Sequence, residues 1–260
     1  MSVIEVYKKL PGTNCGKCGL SSCMAFALKV KKSQASLSEC PFVTGETMAR
    51  GQPPSAASSF SSYEKVSREL EKEAVMADFK DTAEIIGGMY EAVDGREAIM
   101  VKMISTLYEL RKEGLFQNNA PCGDVWAKII ICDYVRRKGR GPLTGELLPL
   151  GLFPHSASLV RAFQSSAEKK IAEGFKRDLN GLKKRCGALG GRETEGKVKA
   201  DYISCFELLP HVPLYLSFWV ADEEFDADCK LLFDRNAEEH INIEYLAYLM
   251  ERFAGELVAD

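Results

Sequence analysis

Histidine is scarce in this chain, with three in 260 residues, and there are only two tryptophans. So few imidazoles leave no Ser–His–Asp or Cys–His arrangement to argue, and hydrolytic catalysis finds no support. Long apolar runs are missing as well: none approaches the roughly 18 residues that a membrane-spanning helix needs. The opening residues, MSVIEVYKKLPG, hold neither an apolar core of signal-peptide length nor a small-residue cleavage site. Positive charge is not in excess, since the formal net charge is −3. A protein that grips phosphates is normally basic, so no nucleic-acid partner is expected. These absences together point to the cytoplasm. Thiols stay reduced there, and clustered cysteines bind metal more often than they form disulfides. The odd total of nine cysteines also fits poorly with a fully paired disulfide framework.

What is present is an ordinary globular composition, 46% apolar and 27% charged, enough for a proper core. The charge is unevenly spread. Residues 1–50 hold seven Lys/Arg against three acidic residues, a balance of +4 that leaves −7 for the rest. Two units with different jobs are implied. The stretch GQPPSAASSFSS, residues 51–62, is rich in Gly, Pro, Ser and Ala and reads as a linker. The expected organisation is a cysteine-bearing unit over 1–50, a linker over 51–62 and a larger unit over 63–260.

In the first unit, residues 3–10 predict a short helix ended by Pro11-Gly12. Ser21 or Ser22 can cap a second helix, in which Cys23, Phe26, Ala27 and Val30 fall on one face. In the second unit, residues 63–87 read as helix. MYEAV-DG-REAIMVKMI reads as a hairpin about Asp94-Gly95, with a helix over 97–111 as its competitor. Asp124 can cap a helix over 125–137, and residues 159–186 and 237–254 also read as helices. VPLYLSFWV (212–220) and CKLLF (229–233) read as strands. The fold class is α+β.

Four cysteines, Cys15, Cys18, Cys23 and Cys40, follow the pattern C-x2-C-x4-C-x16-C. Two residues between the first pair let one tight turn aim both sulfurs at a single point. Gly16 and Gly19 follow those cysteines and permit close backbone approach, so that N–H groups can face sulfur. Pro41 sets an extended exit after the fourth. A unit of about 50 residues buries little apolar surface, and domains this small often depend on a metal. Zinc is the rival occupant, because four-sulfur tetrahedral sites are standard for it. Structural zinc sites usually show two well-separated CxxC-like pairs. Here three ligands crowd one loop and the fourth stands alone, which favours a [4Fe–4S] cluster.

The residues NCGKCGLSSCMAFALKV…ECP resemble the small four-cysteine iron–sulfur domain at the N-terminus of the corrinoid iron–sulfur protein large subunit. They are also similar to the cluster domain of the Rnf-type electron-transfer subunit. The resemblance spans about residues 3–45. It implies that Cys15, Cys18, Cys23 and Cys40 ligate one low-potential [4Fe–4S] cluster. In the corrinoid family that domain delivers an electron to reactivate an oxidised cobalt centre; the barrel domain of that family is not evident here. The segments LPHVPLYLSFWVADEEFDADCKLLFD and GRGPLTGELLPLGLFPHSASL are similar to a domain of unknown function in anaerobes, often fused behind this module. That resemblance spans about residues 65–255 and implies an architecture but no chemistry.

Other candidates are weaker. Gly191-RETE-Gly196-Lys197-Val198 matches G-x4-G-K but lacks the following Ser/Thr and the preceding strand of a P-loop, so it reads as a glycine-rich turn. Asp222, Glu223, Glu224, Asp226 and Asp228 lack the order of a calcium loop and read as a solvated turn. His155 and His211 are the candidate axial ligands for a tetrapyrrole, weighed against ordinary packed or capping histidines, and His240 is placed on the surface of the last helix. The D-x-H-x-x-G pattern of His-ligated corrinoid domains is absent. Cys122, Cys132, Cys186, Cys205 and Cys229 read as buried free thiols.

The leading expectation is an iron–sulfur protein that passes single electrons to a redox partner protein, which a corrinoid protein would fit, or to a cofactor on its second unit. Cobalamin or another tetrapyrrole is the cofactor to test first. The alternatives are a redox- or oxygen-sensing binding module and a haem or other tetrapyrrole-binding protein.

Overall fold

The computed structural model describes residues 6, 10, 18, 20, 23–32, 34–40, 56–196 and 199–259. The chain divides into two compact units, Met1–Ser62 and Tyr63–Asp260. In the first, helix α1 (Cys23–Lys31) buries Phe26 and Ala27 and half-buries Val30, the face expected from their spacing. A 3-10 turn (Leu37–Glu39) follows. It is held by a capping box in which Ser36 N donates to Glu39 Oε1 at 2.6 Å and the Ser36 side chain accepts from Ser38 N. The helix expected over residues 3–10 lies almost wholly outside the described residues, as do the Ser21 and Ser22 caps. Of the expected linker, residues 51–55 also lie outside them, but the chain is helical from Ala56 in α2 (Ala56–Ala74). The reason is local: between Pro54 and Gly87 there is neither proline nor glycine to interrupt helical hydrogen bonding.

The single helix expected over 63–87 is two. The chain turns at 75–78, and Asp78 starts α3 (Phe79–Ile86) by accepting Asp81 N at 3.0 Å. Gly87, at φ 69, ends α3. Strands β1 (Met89–Val93) and β2 (Arg96–Met103) then form the hairpin, with Asp94 at φ 51 and Gly95 at φ 76 as a type I′ turn demands. The competing helix over 97–111 gives way to β2 and β3 (Thr106–Arg111), in which Ile99, Val101, Met103, Tyr108 and Leu110 alternate into the core. Their turn puts Ile104 at φ 56, an unfavourable conformation for a β-branched residue. Burial of its side chain and a bond from Ile104 N to Leu208 O (2.8 Å) hold it there. β4 (Gly114–Gln117) and β5 (Ala120–Pro121) complete an antiparallel sheet in chain order.

Helix α4 (Val125–Arg137) is buried on nearly every side. Asp124 caps it by accepting Trp126 N and Ala127 N, each at 3.0 Å, and pairs with Arg252. β6 (Leu147–Pro149) leads to the helical region expected over 159–186, which is interrupted twice. α5 (Val160–Phe163) runs through a π-turn (Gln164–Glu168) into α6 (Lys169–Phe175). Lys176, at φ 33, stops it, and Asp178 caps α7 (Leu179–Ala188). β7 (Arg192–Glu193), β8 (Tyr202–Leu209), β9 (Val212–Trp219) and β10 (Asp228–Asp234) join β6 in a second antiparallel sheet of order β6-β10-β9-β8-β7. The expected last helix is split at Ile241-Asn242 into α8 (Ala237–His240) and α9 (Ile243–Val258), because Asn242 accepts Glu244 N (2.9 Å) and starts a new helix. Both sheets and the surrounding helices share one apolar core in this unit. The fold is mixed α+β.

Candidate functional site

The cysteine loop and α1 supply the first site. Cys40 follows the 3-10 turn, is 4% exposed, and packs with Val6, Leu10, Phe26 and Ala27. Half-buried Cys18 packs against the same small core, although 22 positions separate the two thiols. Cys23 is the first residue of α1, three positions ahead of Phe26, at the helix end where the macrodipole favours negative charge. Cys15 lies outside the described residues. The described part of this core is five buried side chains, too few for independent stability. Cys18 and Cys40 thus share one small core, and thiols are the donor type of an iron–sulfur or zinc centre, so the described residues fit such a group.

The other cysteines are of a different kind. Cys122, Cys132, Cys186 and Cys229 are buried and Cys205 half-buried, and all are free thiols. Burial pushes Cys186 up to about 12 and Cys229 well above the ordinary thiol range, so they stay protonated at neutral pH. They are packing residues, not ligands or nucleophiles.

The three histidines, remote in sequence, all gather near α8. His155, at φ 61 in the turn before α5, lines a cleft of about 540 Å3 with Arg137, Glu238 and Asn242. Burial pushes the Glu238 carboxyl up, against the pull of His155 and Arg137. Arg137 is held by Asp133, which is 1% exposed and also accepts from Arg136 (2.8 Å) and from Asn242 N (2.9 Å). His211, at φ 65, forms the β8–β9 turn, and its ring centre lies 5.7 Å from that of His240 at a tilt of 37°. His240 is not on the surface: it is 1% exposed. His211 faces Gly87, where an added Cβ would come within 2.9 Å of its Nε2.

The remaining motifs are structural. The acidic segment forms the turn between β9 and β10, with Asp222 accepting Glu224 N (2.8 Å) and Phe225 N (2.7 Å). The glycine-rich stretch follows helix α7 rather than a strand; Gly191 is needed because a Cβ there would sit 2.5 Å from the Phe206 ring. No helix of the described residues is long and apolar enough to cross a membrane.

Residues 10–42 match a family described as "Putative Fe-S cluster", and residues 78–256 match the family described as Domain of unknown function (DUF3786). Among curated proteins, the corrinoid/iron-sulfur protein large subunit of Moorella thermoacetica is 49% identical over 41 residues, 16% of this chain and 9% of that protein. The acetyl-CoA decarbonylase/synthase complex subunit gamma of Methanothermobacter thermautotrophicus is 46% identical over 46 residues, 18% of this chain and 10% of its own length. The same subunit of Methanosarcina acetivorans is 52% identical over 40 residues, 15% and 8% respectively. The chain thus spans about a tenth of the relatives it matches, within the cysteine-bearing unit. No solved structure matches the chain. The first unit carries an iron–sulfur module.

Proposed function

Because the chain belongs to the Domain of unknown function (DUF3786) family and carries an iron–sulfur module ahead of that domain, we propose that it is a one-electron carrier. Cys15, Cys18, Cys23 and Cys40 hold a single [4Fe–4S] cluster in a unit spanning residues 1–50, and residues 63–260 form the receiving or docking unit. When bound, the cluster supplies reversible transfer of one electron. The chain's own contribution is to seat it. The small core around Cys40 and Cys18 excludes water on one side, and the N–H groups opening α1 favour the negative charge of thiolate ligation. Exposed Lys29, Lys31 and Lys32 at the end of α1 offer a docking face for an acidic partner surface.

The observation that carries this reading is that Cys18 and Cys40, far apart in sequence, pack on one small core with Phe26 and Ala27 of α1. The curated relatives are named as subunits of corrinoid and acetyl-CoA decarbonylase/synthase assemblies, which supports a protein partner and makes a corrinoid protein the first to test. Anaerobic preparation with iron, zinc and sulfide analysis tests the assignment. About four irons and four sulfides per chain are expected, lost in Cys18→Ala and retained in Cys122→Ala. Colourless protein with one zinc per chain refutes it. A sensor role predicts a cluster destroyed by brief air exposure together with altered partner binding.

A second reading concerns the DUF3786 unit. Of the two histidines considered for a tetrapyrrole, His155 borders an open cleft, and Arg137 beside it can pair with an acidic side chain of such a ligand. Titration with cobalamin and with haem tests this. An absorbance change abolished by His155→Ala is expected, and no change with either ligand removes the reading.

A further inference from the structure

We propose that His211 and His240 form a second, previously unassigned metal site, a two-histidine seat for a borderline divalent transition ion such as Zn2+. A neutral imidazole has one N–H donor and one lone pair, and burying both without partners costs free energy. His240 is 99% buried, and neither Nδ1 nor Nε2 has a hydrogen-bond partner among the described residues. The third buried side-chain atom in that condition among the described residues, Thr82 Oγ1, belongs to α3, which ends at Gly87 against His211. An ion gives the orphaned lone pair the partner that the protein does not.

The ring geometry suits one shared ion. A metal–nitrogen bond of about 2.0–2.1 Å places the ion roughly 3.2 Å from each ring centre. With both lone pairs aimed at a shared ion, ring centres 5.7 Å apart and tilted by 37° subtend roughly 125° at it, between trigonal and tetrahedral. Two glycines select the nitrogens. A Cβ on Gly139 would lie 2.6 Å from His240 Nδ1, and one on Gly87 would lie 2.9 Å from His211 Nε2. Gly139 and Gly87 crowd those two edges, so the metal is assigned to His240 Nε2 and His211 Nδ1. Imidazole nitrogen suits zinc, copper and nickel better than calcium or magnesium.

The carboxylates nearby do not compete. Asp234 already accepts from Thr144 N, Thr144 Oγ1, Gly145 N and Asn236 N. Among the described residues no group of three His, Cys, Asp or Glu converges on an ion. The site therefore has two protein ligands, fewer than the three or four of dedicated zinc sites, and weaker binding than theirs is expected.

Ring-nitrogen NMR of the full 15N-labelled chain, with its iron centre loaded, tests this directly, because three histidines give three resolvable rings. Addition of one equivalent of Zn2+ is expected to shift one nitrogen of His211 and one of His240 while His155 stays put. His211→Asn keeps the left-handed turn, which asparagine tolerates, and is expected to weaken that zinc at least tenfold. His240→Leu fills the same space and is expected to abolish it. Rings of His211 and His240 unmoved at fivefold excess, or shifts confined to His155, overturn the proposal. Cysteine-bound zinc leaves these ring signals unchanged, so this outcome is independent of whether the first unit holds iron.

Discussion

Replacing Gly139 by alanine adds one methyl group at the most crowded glycine near the histidine pair. Its Cβ would stand 2.5 Å from Glu239 O, 2.6 Å from His240 Nδ1 and 2.7 Å from His240 Cα. Two of those atoms are backbone, so no side-chain rotation relieves the contact and α8 itself must move. Overpacking of this kind costs about 1–3 kcal/mol. Gly187 is the matched control: it is exposed near the end of α7, with nothing within 4 Å of its would-be Cβ. There alanine removes backbone freedom from the unfolded chain and stabilises by about 0.5–1 kcal/mol. Trp126 and Trp219, the only tryptophans, both lie in the second unit, so their fluorescence during urea unfolding reports on that unit alone. For a unit of this size, 1 kcal/mol corresponds to about 2–4 °C, so the two variants should melt on opposite sides of the parent and several degrees apart. If Gly139→Ala unfolds within about 0.5 kcal/mol of the parent, α8 does not pack against Gly139 as described.

Two further perturbations probe the polar supports. Burial alone would raise the Asp234 carboxyl, but the N–H groups of Asn236, Thr144 and Gly145 outweigh it and hold the group below the ordinary range. A carboxylate depressed on folding stabilises above its unfolded value, near 3.9, and loses that contribution as pH falls through its folded value. Asp234→Ala should therefore cost about 2–3 kcal/mol at pH 7 and progressively less below about pH 4, measured by urea unfolding across pH. Asp133→Ala strips Arg136, Arg137 and Asn242 N of a common acceptor and should cost about 3 kcal/mol or more, with a smaller loss in Asp133→Asn; equal melting of the two would show that charge is not what matters there.

Where local chemistry is self-sufficient, the sequence sufficed. Asp124 ahead of an apolar run starts α4, Asp94-Gly95 turns a hairpin, and VPLYLSFWV and CKLLF are strands β9 and β10, because caps, positive-φ residues and β-branched runs act over a few residues. The four-cysteine spacing likewise pointed to an iron–sulfur module, which the family match over residues 10–42 supports. Tertiary packing decided the rest. Ile104 turns β2 into β3 with no glycine or asparagine to signal it, since buried apolar contact and a bond to Leu208 hold the strained backbone. His240 looks like a surface residue on a charged helix until the β8–β9 turn brings His211 to within 5.7 Å of it. Meetings of this kind join residues dozens of positions apart, and spacing within one helix or strand holds no information about them.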